Sequence, residues 1–383
     1  MNIRRSLLMA NSVTEEGGES INYFTIEAIE SGLTVSLDLN DIEYCIDNNY
    51  DNWITLKKGN NTQSINAGQR LSFKGDYTKM TIGGTNSEGY QQGMGTFNIS
   101  KKCNLTGNIM SLLYGDSEDL ESELIIPCNN AFAIMFLNQV NIINVDENLL
   151  PATTLTSYAY YNMFAGCNNL ENTPKLPCTN LNNLESVYCG MFYDCTKLTV
   201  APELPATSLG PTCYAGMFGA TGLLETPTLP ATTLTTFCYQ AMFTNCTSLT
   251  KANELPATTL ATNCYDSMFE ACTSLTTVPD RLPATTLVSK CYCYMFYGCT
   301  SLKTAPILPA NSLKSSCYEY MFYNCRSLNY IKCLSRTSLG TSYSRYWVSN
   351  VASSGTFVRH SSKTQSTGTS AIPRNWTQQT ATS

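Results

Sequence analysis

This chain has almost no histidine and little charge. Of its 383 residues a single one is histidine, His360, and only 14% are Asp, Glu, Lys or Arg. Nucleophilic catalysis by serine or cysteine needs a positioned base, which is usually histidine. His360 lies in a polar segment with no carboxylate beside it in the sequence, and we interpret it as a surface residue. The sequence therefore predicts no enzyme, no catalytic residue and no cofactor.

Positive charge is scattered and long apolar runs are missing. The 23 Lys and Arg residues against 29 Asp and Glu give a formal net charge of −6. Nucleic-acid binding needs clustered basic residues, and a membrane-spanning helix needs about 20 apolar residues in a row. The apolar run at residues 7–10 is too short for the core of a signal peptide, and no lipid-accepting cysteine follows it. We expect no nucleic-acid partner, no membrane span and no recognisable export signal.

The chain does contain a repeat with a spacing of 25–28 residues. A clear copy at residues 255–275 contains Leu-Pro-Ala-Thr-Thr-Leu, then Cys-Tyr, Met-Phe, Cys and Leu. We number each copy from the methionine of its Met-Phe pair, which is position 0. In the seven full copies this methionine is Met163, Met191, Met217, Met242, Met268, Met295 and Met321. A weaker copy precedes them at Met135, and a degenerate one follows at Trp347. A fixed period of this length predicts stacked coils that bury one continuous core.

The apolar positions within a copy predict its local structure. They fall at −4 (usually Cys), −3 (Tyr), 0 (Met), +1 (Phe), +4 (usually Cys) and +7 (Leu). Steps of 3, 4 and 1 indicate a short helix with one buried face. A short strand is expected from +7, where a following proline ends it in most copies. One helix plus one strand per coil is the layout of a leucine-rich repeat.

The 18 cysteines do not follow a disulfide pattern, although cysteine-rich chains are usually secreted and cross-linked. Most occupy positions −4 and +4, and other residues replace them singly, such as Thr221 at +4 and Ala159 and Val187 at −4. The two positions would lie about 12 Å apart along a helix, too far for a disulfide. We interpret most of them as small buried thiols. The sequence does not decide whether some of them form disulfides.

The phrase Met-Phe-x-x-Cys-Thr-Ser-Leu at 242–249, 268–275 and 295–302 resembles the BspA-like leucine-rich repeat family of bacterial surface proteins, of the type found in gut bacteria. The resemblance covers residues 134 to about 378. It implies a leucine-rich-repeat solenoid and a non-catalytic binding or adhesion role. It implies no defined binding residues.

Other parts of the chain have a different pattern. Alternation of apolar and polar residues between 21 and 105, with turn residues between the runs, predicts an antiparallel β-sandwich. We expect a polar arm at 1–20, the β-sandwich at 21–105, a junction and amino-terminal cap at 106–133, BspA-like repeats at 134–351, and a carboxy-terminal cap and tail at 352–383. The predicted fold class is therefore α+β, a β-sandwich followed by a solenoid of about nine coils. Asp47, Asn49 and Asp51 alternate as calcium ligands can, but we interpret them as a hairpin turn and predict no metal site.

Tyr294, Tyr297, Tyr320 and Tyr323 are the candidate ligand contacts. They occupy the outward positions −1 and +2 of the last two full copies, so stacking should align Tyr294 with Tyr320 and Tyr297 with Tyr323. Exposed tyrosines provide a large contact area at low entropy cost. The alternative is that these rings shield the carboxy-terminal cap.

The sequence favours a non-catalytic extracellular or cell-surface protein that presents its repeats to a protein or glycan on a host or neighbouring cell. One alternative is a bacteriophage or prophage fibre or decoration protein in the virion, whose amino-terminal domain binds virion proteins. A second is a glycan-active enzyme, which would need two carboxylates about 5 to 9.5 Å apart. The ligand and the oligomeric state are not predicted.

Overall fold

The computed structural model describes residues 21–84, 91–115, 117–361 and 365–381, so the predicted arm at 1–20 lies outside the described residues. The amino-terminal part is made of seven short strands: β1 (Phe24–Ala28), β2 (Val35–Leu37), β3 (Ile42–Ile46), β4 (Ile54–Leu56), β5 (Arg70–Lys74), β6 (Phe97–Ile99) and β7 (Cys103–Thr106). Strands β2 and β6 pair antiparallel with each other. The other five strands and β8 (Ile142–Val145) form a six-stranded sheet in the order β4-β3-β5-β1-β7-β8.

Aromatic side chains from both amino-terminal sheets share one core. Phe97 of β6 packs against Phe24 of β1 and Phe73 of β5, with ring centroids 5.6 and 5.4 Å apart. These rings are buried because alternate residues of a strand point to the same face.

The amino-terminal core continues into the repeats without a break. Strand β8 begins at position +7 of the Met135 copy and pairs parallel with β7. Phe136 of the same copy lies 5.8 Å from Phe24 and 5.2 Å from Phe164, measured between ring centroids. The first coil thus shares both a sheet and a core with the amino-terminal strands.

The prediction of a short helix in each coil is wrong. Positions −5, −1 and +3 have left-handed backbone angles, as in Asn263 (φ 57°), Ser267 (φ 56°) and Ala271 (φ 58°) of the Met268 coil. A right-handed helix cannot continue through a left-handed residue in every fourth position. Within the described residues the α-helices are two single turns, α1 (Ser111–Tyr114) and α2 (Thr341–Ser344), so the chain has mostly strands and few helices.

Hydrogen bonds between coils replace those of a helix. The Met268 N–H donates to the Tyr265 carbonyl of its own coil at 3.3 Å, whereas the Phe269 N–H donates to the Met295 carbonyl of the next coil at 2.9 Å. This alternation repeats through the stack, so each coil is a series of four-residue turns that pairs with its neighbour. Buried backbone groups need hydrogen-bond partners, and alternate N–H groups of these turns find theirs in the adjacent coil.

The same stacking places equivalent side chains on top of one another. Tyr265 lies 5.8 Å from Tyr239, and Phe269 lies 5.7 Å from Phe243, with ring planes within 17° of parallel. The Tyr, Met and Phe positions of the full copies are all buried, as the repeat pattern predicts, and so is the Leu position except in the Met217 copy, where Leu224 is 54% exposed.

The predicted strand of each coil is reduced to single bridges in the middle of the stack, for example between Lys251 and Thr277. Continuous strands occur at its ends. The carboxy-terminal ones are β9 (Tyr330–Cys333), β10 (Thr356–Arg359) and β11 (Thr377–Thr380), which form a parallel sheet in the order β11-β10-β9. The indole N–H of Trp347 donates to the Ala371 carbonyl at 2.7 Å and attaches the tail to the last coil.

All 18 cysteines are free thiols. At position +4 the thiol donates to the Phe carbonyl of the preceding coil, as from Cys272 to Phe243 at 3.0 Å. Thr221, which replaces this cysteine once, donates its hydroxyl hydrogen to a carbonyl of its own coil, that of Phe218, at 2.8 Å. The position therefore suits a small buried donor, and burial raises the pKa of the Cys272 thiol well above its usual value.

Candidate functional site

The four candidate tyrosines lie together on the outside of the stack, and the predicted stacking is present. Tyr294 lies 4.8 Å from Tyr320 with ring planes 12° apart, and Tyr297 lies 5.0 Å from Tyr323 with planes 3° apart. Within each coil the two rings are also in contact, 5.6 Å apart in one coil and 5.5 Å in the next. All four side chains are partly buried.

A fifth tyrosine extends this array, and the sequence reasoning missed it. Tyr346 is 44% exposed and its ring centroid is 5.6 Å from that of Tyr320. It occupies position −1 of the degenerate Trp347 copy, so the 26-residue spacing was the signal that could have found it. We call Tyr294, Tyr297, Tyr320, Tyr323 and Tyr346 the tyrosine surface.

The backbone at position −1 makes tyrosine an unfavourable choice there. Tyr294, Tyr320 and Tyr346 have φ values of 53°, 54° and 53°. In this region a residue with a Cβ costs roughly 1–2 kcal/mol, and only glycine adopts it freely. The five preceding full copies have smaller residues at this position: Asn162, Gly190, Gly216, Ala241 and Ser267. The change to tyrosine in the last coils thus runs against local backbone preference.

Arg345 completes the array with a positive charge, and it was also missed. Its guanidinium carbon lies 5.8 Å from the ring centre of Tyr320 and 5.6 Å from that of Tyr346. Its Nη2 donates to the Tyr320 hydroxyl at 3.5 Å, and its Nε is 3.5 Å from a carboxylate oxygen of Glu319. Cation–π contact and an ion pair hold the same side chain.

Two hydroxyls of the tyrosine surface, those of Tyr294 and Tyr297, have pKa values above the usual value for tyrosine. Burial, together with the neighbouring Cys293 and Tyr320, raises the pKa of Tyr294 to about 12, and burial also raises the pKa of Tyr297. A neutral phenol both donates and accepts hydrogen bonds, while the ring offers apolar contact. The surface can therefore make both kinds of contact with a ligand.

The amino-terminal sheet contains a groove of about 280 Å³ with three carboxylates, which bears on the glycan-active alternative. Each lies within ion-pair distance of a lysine: Asp41 with Lys57 at 2.8 Å, Glu43 with Lys74 at 3.4 Å, and Asp76 with Lys79 at 2.8 Å. The hydrogen bonds from Lys79 and Thr78 lower the pKa of Asp76 to about 2. A glycosidase acid needs a raised pKa, so Asp76 does not suit that role.

Other residues considered in the sequence have structural contacts. His360 Nε2 accepts a hydrogen bond from Arg336 at 3.3 Å. Both carboxylate oxygens of Asp47 accept hydrogen bonds, from Gln69 at 2.7 Å and the Arg70 N–H at 2.9 Å, as expected for a turn. In the part of the chain that the structure describes, no three His, Cys, Asp or Glu side chains are grouped to hold a metal, and no helix is long and apolar enough to cross a membrane.

A family model agrees with the repeat pattern of the sequence. A family model described as BspA type leucine rich repeat region matches residues 157–294 and 207–344 and covers six copies. A crystal structure of a leucine-rich repeat protein from Bacteroides ovatus ATCC 8483 is similar at 14% sequence identity, over 79% of this chain and 90% of that chain, with a TM-score of 0.30. A comparison with curated proteins gives no match.

Proposed function

Since this chain belongs to the BspA-type leucine-rich repeat family, we propose that it is a non-catalytic binding or adhesion protein that acts outside the cell. Repeats of this family are generally non-catalytic, and proteins that contain them are typically at the cell surface or extracellular. The partner is a protein or glycan on a host or neighbouring cell, and the tyrosine surface makes the contact.

The observation that carries this proposal is the stacked tyrosine array, three of whose five members occupy backbone positions that favour glycine. Residues in sparsely populated backbone regions are often found at ligand-binding sites. Tyrosine and arginine are also the residues most enriched among those that dominate binding energy at interfaces. The tyrosine surface combines both features on one side of the last three coils.

In this proposal the amino-terminal sheets serve as a sandwich-like cap of the solenoid. A stack of coils needs a cover at each end, because its terminal coil would otherwise expose the core. The contacts of Phe136 with Phe24 support this assignment. The stack of about nine coils then presents the tyrosine surface far from the amino-terminal end.

The test is to replace Tyr297 and Tyr323 together with Ser and to measure binding of the purified protein to cell-surface protein and glycan arrays. Binding should fall at least tenfold, because two stacked rings are removed from the centre of the contact. The melting temperature should change little, since both rings are only partly buried.

Tyr193→Ser is the matched control. Tyr193 occupies the same position +2 in the Met191 coil and is 42% exposed, yet it lies outside the tyrosine surface. Equal binding losses in the two variants would contradict the proposal. A large fall in melting temperature of the double variant would show that the rings serve as packing for the carboxy-terminal cap.

Fractionation of the native source tests the location independently. Recovery of the protein on the outer face of cells supports the adhesion role. Recovery in purified virions would instead favour the phage fibre or decoration protein, with the amino-terminal part bound to virion proteins. Recovery only in the cytoplasm would count against both.

A further inference from the structure

The carboxy-terminal end of the chain differs in charge from the rest. Residues 301–383 contain nine of the 23 Lys and Arg residues but one of the 29 Asp and Glu residues, Glu319, so their formal charge is +8. The first 300 residues contain 14 basic and 28 acidic residues and have a formal charge of −14. The overall charge of −6 hides this difference, because the basic residues are spread along the chain and the acidic ones are not. The last coils and the cap thus form a positive end on an acidic protein.

The basic side chains of this end are on the surface, and its one acidic side chain already has a partner. Glu319 forms an ion pair with Arg345 at 3.5 Å. An anion that approaches these coils therefore meets no second acidic side chain from the same segment. The exposed basic residues are Lys303, Lys314, Arg326, Arg336, Arg345 and Arg374.

Three basic residues of this end are held together by hydrogen bonds. Arg336 is exposed, and its Nε donates to Nε2 of His360 at 3.3 Å. Nη1 of Arg359 donates to the His360 carbonyl at 3.3 Å. We call Arg336, Arg359 and His360 the basic cluster. The bond from Nε does not use the four terminal N–H donors of Arg336, and a guanidinium group can bind two oxygens of one anionic group through such donors.

The basic cluster lies at the end of a row of exposed, uncharged side chains that form hydrogen bonds. The Thr258 N–H donates to the Thr232 carbonyl at 3.1 Å, and Thr286 forms a bridge with Ser312, so successive coils stack in this row. The Arg336 N–H donates to the Asn311 carbonyl at 2.8 Å, and Arg336 therefore takes the next place. This polar row occupies the two positions after Leu-Pro-Ala in four coils: Thr232, Thr233, Thr258, Thr259, Thr285, Thr286, Asn311 and Ser312.

We propose that the polar row and the basic cluster bind an acidic polysaccharide, a polymer rich in hydroxyl groups that also has carboxylate or sulfate groups. The polar row exchanges hydrogen bonds with the hydroxyl groups of successive sugars. Arg336 binds one anionic group through two of its N–H donors. This inference goes beyond the proposed function, because it assigns a second binding surface at coil positions other than those of the tyrosine surface.

A nucleic acid fits this surface less well than an acidic polysaccharide. A DNA duplex has one negative charge about every 1.7 Å along its axis, so it needs basic side chains along its whole contact. The polar row has none in the four coils before Arg336. The charge of −14 on the first 300 residues also repels a polymer of such high charge density. A polymer with hydroxyl groups between widely spaced anionic groups matches an uncharged row that ends in a basic cluster.

The experiment measures binding of the full chain to dextran sulfate, polygalacturonate and unmodified dextran by calorimetry at low and at high salt. At least one of the two anionic polymers should bind at low salt and lose affinity at high salt, and unmodified dextran should bind much more weakly. Arg336→Gln should weaken binding of the anionic polymer about threefold to tenfold, through loss of one charge-assisted contact. Arg281→Gln is the matched control, since Arg281 is also exposed but lies outside residues 301–383.

Asn311→Asp provides a second, independent variant that keeps Arg336. The added carboxylate precedes Arg336 in the polar row and should weaken polysaccharide binding at least as much as Arg336→Gln does. Asn180→Asp is its control, because Asn180 is exposed in the corresponding segment of the Met191 coil, far along the stack from the basic cluster. The melting temperatures of all four variants should stay close to that of the parent, since the four replaced side chains are exposed.

Several outcomes would overturn the proposal. Failure of both anionic polymers to bind at low salt would refute it, and equal binding of unmodified dextran would exclude recognition of the anionic groups. Equal weakening by Arg336→Gln and Arg281→Gln would mean that only net charge matters. Tighter binding of a DNA duplex or of phosphatidylserine vesicles than of either polysaccharide would assign the positive end to a nucleic acid or a membrane.

The double variant of Tyr297 and Tyr323 separates this proposal from the proposed function. It should bind the anionic polysaccharide as the parent does, because its substitutions lie outside the polar row and the basic cluster. Loss of polysaccharide binding in this variant would place the polysaccharide on the tyrosine surface and refute a second surface. Loss of cell or array binding in the double variant, with no effect of Arg336→Gln on the polysaccharide, would support the proposed function and refute the role of the basic cluster.

Discussion

Replacing three alanines with glycine should stabilise this protein, although the same change destabilises an α-helix. Ala220, Ala241 and Ala271 have φ values of 57°, 51° and 58°. An alanine in this left-handed region costs roughly 1–2 kcal/mol, and glycine removes that cost while it adds about 0.5–1 kcal/mol of chain entropy. The net gain is about 0.5–1 kcal/mol for each site. The three side chains are partly exposed, so loss of the methyl groups creates no buried cavity.

The assay is urea unfolding of the triple variant, which should gain about 2 kcal/mol in the free energy of unfolding. Ala165→Gly is the control, because Ala165 is buried at position +2 and is outside the left-handed set. It should lose about 1 kcal/mol, as glycine does in ordinary backbone. If the coils were helical, all four substitutions would destabilise by about that amount. A triple variant less stable than the parent would therefore refute the four-residue turns.

Two further predictions concern the buried tyrosines and thiols. Tyr239→Phe should leave the free energy of unfolding unchanged or raise it by about 1 kcal/mol, because the buried Tyr239 hydroxyl has no hydrogen-bond partner in the structure described. Thermal melting tests this, with Tyr239→Leu as a control that removes the stacked ring. A clearly lower melting temperature of the Phe variant would contradict the prediction. Stability should also decline as pH rises from about 9 towards 12, because burial raises the pKa of the Cys238 and Cys264 thiols to about 12 from a usual value of 9.0. A thiol pKa that is higher in the folded than in the unfolded protein contributes stability that is complete below pH 9 and is lost as the pH rises towards the folded pKa. The urea midpoint of a Cys238→Ala, Cys264→Ala variant should therefore fall less steeply with pH than that of the parent. Equal pH dependence of the two midpoints would contradict the raised thiol pKa values.

The repeat and its core could be predicted from the sequence because both depend on residue type alone. The fixed spacing aligned Tyr265, Met268, Phe269 and Leu275 with their equivalents, which are buried in every full copy apart from Leu224. The family prediction is confirmed by the matching family model. The spacing of apolar residues within one coil did not determine the backbone conformation. Adjacent apolar pairs that recur every four residues fit one face of a short helix as well as a series of four-residue turns.

The residues between those apolar pairs held the information that separates turn from helix. Gly190 and Asp194 of the Met191 coil, like Asn162 and Gly166 of the coil before, occupy the left-handed positions −1 and +3. Glycine, asparagine and aspartate tolerate that conformation better than other residues. Their recurrence every four residues is a turn signal, although Ala, Ser, Thr and aromatic residues at the same positions of other coils obscure it.

The tyrosine stack followed from register alone, whereas the charged contacts required the structure. Equivalent positions in successive coils must lie above one another, so Tyr294 had to meet Tyr320. Arg345 could have been predicted to lie beside these rings only if the degenerate Trp347 copy had been treated as a full coil. The hydrogen bonds of Asp266 could not be predicted from the residue spacing.

The geometry of the stack also explains why a binding surface can be confined to a few coils. Because each coil repeats the backbone of the last, a change of residue type at one position alters the outer surface and leaves the core unchanged. At position −1 the left-handed backbone opposes tyrosine by roughly 1–2 kcal/mol, while each stacked ring pair returns about 0.5–1.5 kcal/mol. A lone tyrosine at this position would therefore destabilise its coil, but the consecutive Tyr294, Tyr320 and Tyr346 offset much of the cost by contact with one another. Contact between successive rings therefore favours tyrosine at this position in adjacent coils over a single tyrosine in one coil.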